Sequence, residues 1–195
     1  MRICFVGDSF VNGTGDPECL GWTGRACAAM ARQGHDMTYY NLGIRRDTSA
    51  DIADRWLNEV QRRLPTTEPN GVVFSFGTND TTLEGGRLRV ERQQSLDHLH
   101  QILSQARSRY PVLMISPAPT ADDAQNDRTA DLSLAFASIA QALQVPYLDV
   151  LTPLRQSLVW QNEARLNDGA HPRAAGYIDL AHLVQHWSAW LSWFS

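Results

Sequence analysis

The sequence predicts an α/β protein with a parallel sheet and helices on both of its faces, and three observations lead there. Apolar runs of strand length recur along the chain and end on glycine or proline, as buried strands of a parallel sheet do. Between them lie stretches with apolar residues at helical spacing. Each connection is long enough to hold a crossover helix, which parallel neighbours require.

The first strand is residues 3–6, Ile-Cys-Phe-Val, which stop on Gly7-Asp8-Ser9-Phe10. Gly7 gives the sharp turn its backbone freedom, and Ser9 sits just past the strand's carboxyl end, where open α/β sheets place their ligands. Residues 11–20 read as a Gly/Asp/Pro-rich loop. A helix then runs from Gly21 to about residue 33, with Trp22, Ala26, Ala29 and Met30 on one face and Gly34 closing it. The second strand, residues 37–42, ends on Gly43. Thr48, followed at the third place by Asp51, is a capping pattern. Ile52, Trp56, Leu57, Val60 and Leu64 align on the helix behind it, which Pro65 ends.

The third strand, residues 71–76, ends on Gly77-Thr78-Asn79-Asp80. After a loop at 81–86, Leu96, Leu99, Leu103, Ala106 and Tyr110 mark a long helix that Pro111 ends. Residues 112–115 are the fourth strand, broken by the two prolines in 116–119. Leu132, Phe136, Ile139 and Leu143 mark the next helix, and residues 145–150 the fifth strand, which Pro146 assigns to a sheet edge or a strand start. A short helix at 152–160, a polar loop at 161–170 and a last helix from about Arg173 complete the chain.

At 195 residues the chain fits one domain, 1–195, able to bury a sizeable core. Its 43% hydrophobic and 19% charged residues are those of an ordinary globular protein. The net charge is −4, and every basic residue is arginine; no basic tract interleaved with aromatics points to nucleic acid. No transmembrane run and no signal sequence are visible, which predicts a cytoplasmic protein, a monomer or a homodimer. Cys4, Cys19 and Cys27 are odd in number and lack metal-ligand spacing, so neither a disulfide framework nor a zinc site is expected.

The chemistry comes from the loops. Those after the first three strands lie at one edge of the sheet and carry Ser9, Gly43 and Asn79. A serine hydroxyl is a poor nucleophile without a base to take its proton and a carboxylate to hold that base. Asp168-Gly169-Ala170-His171-Pro172 offers both from one turn. The Ser9 N–H, the Gly43 N–H and the Asn79 side-chain amide are candidate donors for an oxyanion.

Gly7-Asp8-Ser9-Phe10, Asn41-Leu42-Gly43, Gly77-Thr78-Asn79-Asp80 and Asp168-Gly169-Ala170-His171-Pro172 resemble, in order, the four sequence blocks of the SGNH or GDSL hydrolases. The resemblance implies a flavodoxin-like three-layer α/β/α sandwich with a five-stranded parallel sheet. It implies Ser9 as nucleophile, His171 as base and Asp168 as its orienting carboxylate, with Ser9, Gly43 and Asn79 forming the oxyanion hole. Asp8 and Asp80 then hold the two turns in shape, and the mechanism needs neither a metal nor an organic cofactor. Phe10 stands where the family name has Leu, and Gly43 is followed by Ile44-Arg45-Arg46-Asp47 rather than by a second glycine. Arg45 and Arg46 are read either as contacts to an anionic part of a substrate or, more plainly, as a solvated pair or a salt bridge to Asp47 or Asp51.

Other features have plainer readings. Gly13-Thr14-Gly15 lacks the third glycine of a dinucleotide fingerprint, and His182 and His186 lack the glutamate of a metalloprotease helix. Trp187, Trp190 and Phe194 share one face of the last helix as core packing or a dimer contact. The expected function is hydrolysis of small-molecule acyl esters or thioesters, with short, polar loops favouring small acyl groups. The alternatives are an acyltransferase or carbohydrate deacetylase using the same triad, and a flavodoxin-like binding module without chemistry.

Overall fold

The computed structural model describes residues 1–65 and 67–195. In chain order it begins with β1 (Arg2–Gly7), a four-residue helix α1 (Ser9–Asn12), α2 (Gly21–Arg32), β2 (Thr38–Gly43), α3 (Ser49–Val60) and β3 (Asn70–Ser75). A small hairpin, β4 (Leu83–Glu84) and β5 (Arg87–Leu88), precedes α4 (Arg92–Arg107), β6 (Val112–Ile115), α5 (Asp123–Ala142) and β7 (Tyr147–Leu148). The chain ends with α6 (Leu151–Gln156), α7 (Leu158–Leu166), α8 (Ala174–Gln185), α9 (Ser188–Leu191) and a 3₁₀ turn.

The main sheet has the order β2-β1-β3-β6-β7 with every neighbouring pair parallel, and Gly7 aligns with both Gly43 and Ser75. Alternation along the strands divides the core in two. Ile3, Phe5, Val73, Leu113 and Ile115 pack on one face against Trp22, Met30, Trp160, Tyr177, Leu180 and Trp190. Cys4, Val6, Val72, Phe74 and Met114 pack on the other against Trp56, Leu99, Leu103 and Phe136. This is the three-layer α/β/α sandwich that the sequence predicts. The chain crosses from β1 outward to β2 and back past β1 to β3, so the loops after β1 and β3 face each other at the carboxyl edge.

Several boundaries differ from expectation. Residues 9–12, expected as the end of the Gly7–Phe10 turn and the start of the loop at 11–20, form a helical turn because Asp8 caps it and Gly13, at φ 85°, closes it in the left-handed region. The loop placed at 81–86 holds the first strand and the turn of the β4–β5 hairpin, with Gly85 and Gly86 at positive φ, and β5 follows directly. The polar loop placed at 161–170 is helical through Leu166; Trp160 buries itself completely beneath α7 and holds it down. The fifth strand shrinks to two residues at the sheet edge, where Pro146 had placed it. The last helix stops at Gln185, so Trp187, Trp190 and Phe194 do not share one helical face. Trp190 is fully buried, while Trp187 and Phe194 pack against the core from a separate turn.

Candidate active site

The strand-to-helix turn after β1 has no slack. A Cβ on Gly7 would lie 2.0 Å from Ser75 O, so only glycine lets β1 approach β3 this closely. Asp8 Oδ1 accepts the Phe10 N–H at 2.9 Å, which sets Ser9 as the first residue of α1, 3% exposed. The Ser9 N–H, one of the first-turn donors that a helix leaves open, has no acceptor among the described residues.

His171 reaches Ser9 from the far end of the chain. Asp168 Oδ1 accepts the N–H groups of Ala170 and His171, at 3.0 and 2.8 Å, and so winds the turn. Asp168 Oδ2 lies 2.8 Å from His171 Nδ1, and His171 Nε2 lies 2.7 Å from Ser9 Oγ. With the Nδ1 proton donated to the carboxylate, Nε2 is the acceptor for the serine hydroxyl. Phe10, in place of the smaller aliphatic residue, packs its ring 4.9 Å from the imidazole and 6.1 Å from the Trp160 ring.

Electrostatics sort these groups. Burial pushes the Asp168 carboxyl up, but hydrogen bonds from the His171 and Ala170 N–H groups and the His171 ring outweigh it and hold the pKa below the usual value. Burial pushes His171 below 6.5, and its bond to Asp168 only partly opposes that. Asp8 is pushed up to about 7, first by burial and then by the nearby charges of Asp80 and Asp47, against the Phe10 N–H.

Asn79 follows β3 in a turn where Gly77 has φ 120°. Its Nδ2 donates to Asp47 O at 2.9 Å and makes a 3.4 Å contact with Asp8 Oδ2. Asp80 Oδ1 accepts the Ser49 N–H at 2.8 Å and ties this turn to the start of α3. Asp8 thus binds a backbone N–H within its own turn, whereas Asp80 binds one in the first turn of α3.

Ser9, Asn79, Asp168 and His171 line one pocket of about 260 Å³, together with Arg45, Arg46 and Gln125. Gly43 does not line it. The Gly43 N–H donates to Asn41 Oδ1 at 3.0 Å, and a Cβ there would lie 2.2 Å from Asn12 N. Its glycine therefore serves close packing of β2 on α1, not an open donor. Arg45 and Arg46 are largely exposed, as a solvated pair is, but neither bridges to Asp47 or Asp51. Asp47 pairs with Arg55, and Asp51 caps α3 through Thr48, while Arg45 meets Asp168 at 3.3 Å and Arg46 meets Glu84 at 2.6 Å.

Residues that the sequence did not single out also line the pocket: Thr78, Thr82, Thr120 and Gln125. Gln125 Nε2 donates to Thr78 O at 2.9 Å and to Thr82 Oγ1 at 3.0 Å. No local pattern marks them, because they meet only when α5 packs beside the turn after β3. A larger cavity of about 410 Å³, with Leu88, Val90 and Leu132, lies behind that turn and has no histidine among the described residues that line it. His186 Nδ1 bonds the His182 carbonyl at 2.7 Å, an ordinary helix-end contact. No helix among the described residues is long and apolar enough to cross a membrane.

Comparisons with known proteins agree with this architecture. The chain is similar to the crystal structure of a lipase/acylhydrolase from Enterococcus faecalis, at 22% identity and TM-score 0.74, over 94% of this chain and 93% of that one. It is similar to an acetylxylan esterase from Geobacillus stearothermophilus, at 16% identity and TM-score 0.75, over 93% and 91%. A third likeness is to an alpha/beta hydrolase from the metagenome of Lake Arreo, Spain, at 20% identity and TM-score 0.77, over 93% and 92%. At these identities the likeness is one of fold. No curated protein matches the sequence. Residues 5–177 match the family described as GDSL-like Lipase/Acylhydrolase, which spans β1 to the first turn of α8 and takes in all four blocks. The chain belongs to that family, and it is an ester hydrolase.

Proposed function

We propose that this chain, as one domain, hydrolyses small carboxylic esters or thioesters through a Ser9-His171-Asp168 triad and an acyl-enzyme. The observation that carries the reading is the unbroken chain of hydrogen bonds from Asp168 Oδ2 through His171 to Ser9 Oγ. Ser9 Oγ attacks the acyl carbon as its proton passes to His171 Nε2, and Asp168 stabilises the imidazolium. The tetrahedral oxyanion takes hydrogen bonds from the Ser9 N–H and from Asn79. The 2.9 Å bond to Asp47 O uses one amide hydrogen of Asn79 and fixes its plane; the second makes only the longer contact with Asp8. With the Gly43 N–H engaged, the third donor is the Arg46 N–H. Arg46 lines the pocket at φ 73°, and its N–H has no acceptor among the described residues. Collapse expels the alcohol or thiol, which leaves with the proton from His171. Water then enters, gives a proton to the same nitrogen, and releases the acid and Ser9.

A pocket of about 260 Å³ with threonine, asparagine and glutamine in its wall favours a short acyl group over a long alkyl chain. The test is hydrolysis of aryl esters of increasing acyl length by the wild type and Ser9→Ala, with labelling by a serine-directed phosphonate. Turnover that peaks at two to four carbons, and that is lost together with labelling in Ser9→Ala, is the expected result. Undiminished turnover by Ser9→Ala overturns the triad, and acyl transfer to added alcohols in preference to water marks a transferase.

A further inference from the structure

Two cavities meet at Arg45. It lines the pocket above Ser9, and it also lines a neighbouring cavity of about 470 Å³ that includes Asn12, Thr14, Asp16 and Cys19. Its side chain is 61% exposed, and its one ionic contact among the described residues is from Nη2 to Asp168 Oδ2 at 3.3 Å. A guanidinium has five N–H donors in a planar fork, so this single long contact leaves most of the fork open. The other arginines near the site are more firmly committed. Arg46 is held by Glu84, Arg55 by Asp47, Glu59 and Gly7 O, and Arg25 by Asp16 and Glu18.

The charges around Arg45 are arranged to admit an anion. Only Arg45, Arg46 and Asp168 bear full charges in the lining of the pocket, and Asp168 is engaged by His171. In the neighbouring cavity the one acid is Asp16. Its carboxylate is buried, and Arg25 and the N–H groups of Glu18, Leu20 and Gly21 take up its oxygens. No uncommitted carboxylate lines either cavity beside Arg45.

The position of His171 decides which half of the substrate meets this cation. In the triad reading, Nε2 hands its proton to the departing alcohol, so the alcohol lies on the imidazole's side of Ser9. Arg45 touches Asp168, behind the same imidazole, and opens onto the cavity with Asn12 and Thr14. The acyl half is left to the side of Thr78, Thr82, Thr120 and Gln125.

We infer that the alcohol half of the substrate carries an oxyanion, a phosphate or a carboxylate, a few bonds from the ester oxygen, and that Arg45 is the residue that recognises it. The inference rests on the hydrolase reading above and adds a substrate class to it. A planar fork binds either oxyanion through two parallel N–H bonds, and a phosphate or carboxylate outcompetes one 3.3 Å contact to a carboxylate already shared with histidine. A purely structural role makes a different forecast: as a brace for Asp168, Arg45 affects every ester alike.

The experiment compares acetyl esters of glycerol, glycerol 3-phosphate and glycerate, which share the acyl group and differ in the charge of the alcohol. Wild type, Arg45→Lys and Arg45→Gln are measured on all three. The expected wild-type kcat/KM for at least one anionic ester exceeds that for the neutral ester by about tenfold or more, mainly through KM. Arg45→Gln brings the ratio to within about threefold of unity, and Arg45→Lys, a point charge without the fork, keeps part of it. The phosphate and carboxylate arms identify the oxyanion. A wild type that turns over the neutral ester as well as both anionic ones overturns the inference. So does a preference that survives Arg45→Gln, or a loss shared equally by the three esters.

Calorimetric titration of glycerol 3-phosphate and glycerate into Ser9→Ala reads the same contact without turnover. Binding in Ser9→Ala that disappears when Arg45→Gln is added is expected, and no binding of either anion overturns the inference. Failure to cleave any ester together with failure of Ser9 to take a phosphonate label overturns the hydrolase reading itself, and this inference falls with it.

Discussion

His171 Nε2 lies 2.7 Å from the hydroxyl of Ser9 although 162 positions separate the two residues. The last long helix makes that meeting. Leu180, Ala181 and Val184 of α8 are buried in the same core as Phe5 and Trp22, and the Tyr177 hydroxyl donates to Thr14 O at 2.8 Å. The loop that precedes α8 is thereby held over the amino-terminal turn of α1. Geometry of this kind makes specific forecasts.

Asp168→Asn keeps the shape of the turn, since the side-chain oxygen still accepts the Ala170 and His171 N–H groups, but it no longer fixes the Nδ1–H tautomer or stabilises an imidazolium. The expected loss in kcat is about 10³- to 10⁴-fold with little change in KM. Steady-state kinetics on a neutral ester check it, and a loss confined to KM contradicts the assigned role.

The pH profile follows from the burial of His171. In the proposed mechanism Ser9 gives its proton to a neutral imidazole, so activity is expected to fall where His171 becomes protonated. Burial lowers its pKa below 6.5, the Asp168 carboxylate raises it in part, and the Arg45 charge lowers it again. The acid limb of kcat/KM on a neutral ester therefore has its midpoint below 6.5. A midpoint above 6.5 contradicts this balance.

Asp8 makes stability depend on pH in the opposite sense from an ordinary salt-bridged carboxylate. Its folded pKa of about 7 lies above the 3.8 of an ordinary aspartate, so between these values the folded state binds more protons than the unfolded one. This contribution is complete below 3.8 and lost as pH rises through about 7, with about 4 kcal/mol as an upper bound from the size of the shift. Urea denaturation at pH 5 and pH 8 is expected to show a larger loss in the wild type than in Asp8→Asn. Equal losses in the two proteins leave Asp8 out of the effect.

Gly43→Ala and Asn79→Ala separate packing from catalysis. A Cβ at 43 meets Asn12 N at 2.2 Å and Asp8 O at 2.7 Å, both backbone atoms, so the substitution is expected to cost about 3 kcal/mol of stability. Asn79→Ala removes a polar side chain from a half-buried position and is expected to lower kcat about 10²- to 10³-fold with a much smaller effect on thermal stability. Thermal melts paired with kinetics check both, and a Gly43→Ala protein as stable as the wild type contradicts the packing role of Gly43.

Much of the fold was legible because burial repeats. The run at residues 3–6 and its counterparts at 72–74 and 112–115 are apolar without interruption, as strands covered on both faces must be, and Ile52, Trp56 and Val60 fall at helical spacing on a single face. Short elements escaped because their stability is not their own. A four-residue helix such as α1 cannot stand alone, and α7 hides behind Gln161, Asn162 and Glu163 until Trp160 is seen beneath it. One local signal for α7 was present: the Ser157 hydroxyl caps it by accepting the Trp160 N–H at 3.1 Å.

What the sequence by itself determined was the set of reactive groups and their local pairings. Asp168 and His171 are three residues apart, and a carboxylate that accepts the intervening N–H groups brings its second oxygen to the imidazole without help from the rest of the chain. Tertiary structure decided the rest. Whether the Gly43 N–H is open or already donated to Asn41, and whether Arg45 faces Asp47 or Asp168, depends on how β2 docks on α1 and how α8 lays its loop across the sheet edge. The Asn41 amide that takes the Gly43 N–H is itself held by Val11 O at 2.8 Å, and Arg45 reaches Asp168 across 123 positions, so both outcomes are set by the crossovers between distant segments. A sequence names the donors and charges; only the packed chain selects which of them face the substrate.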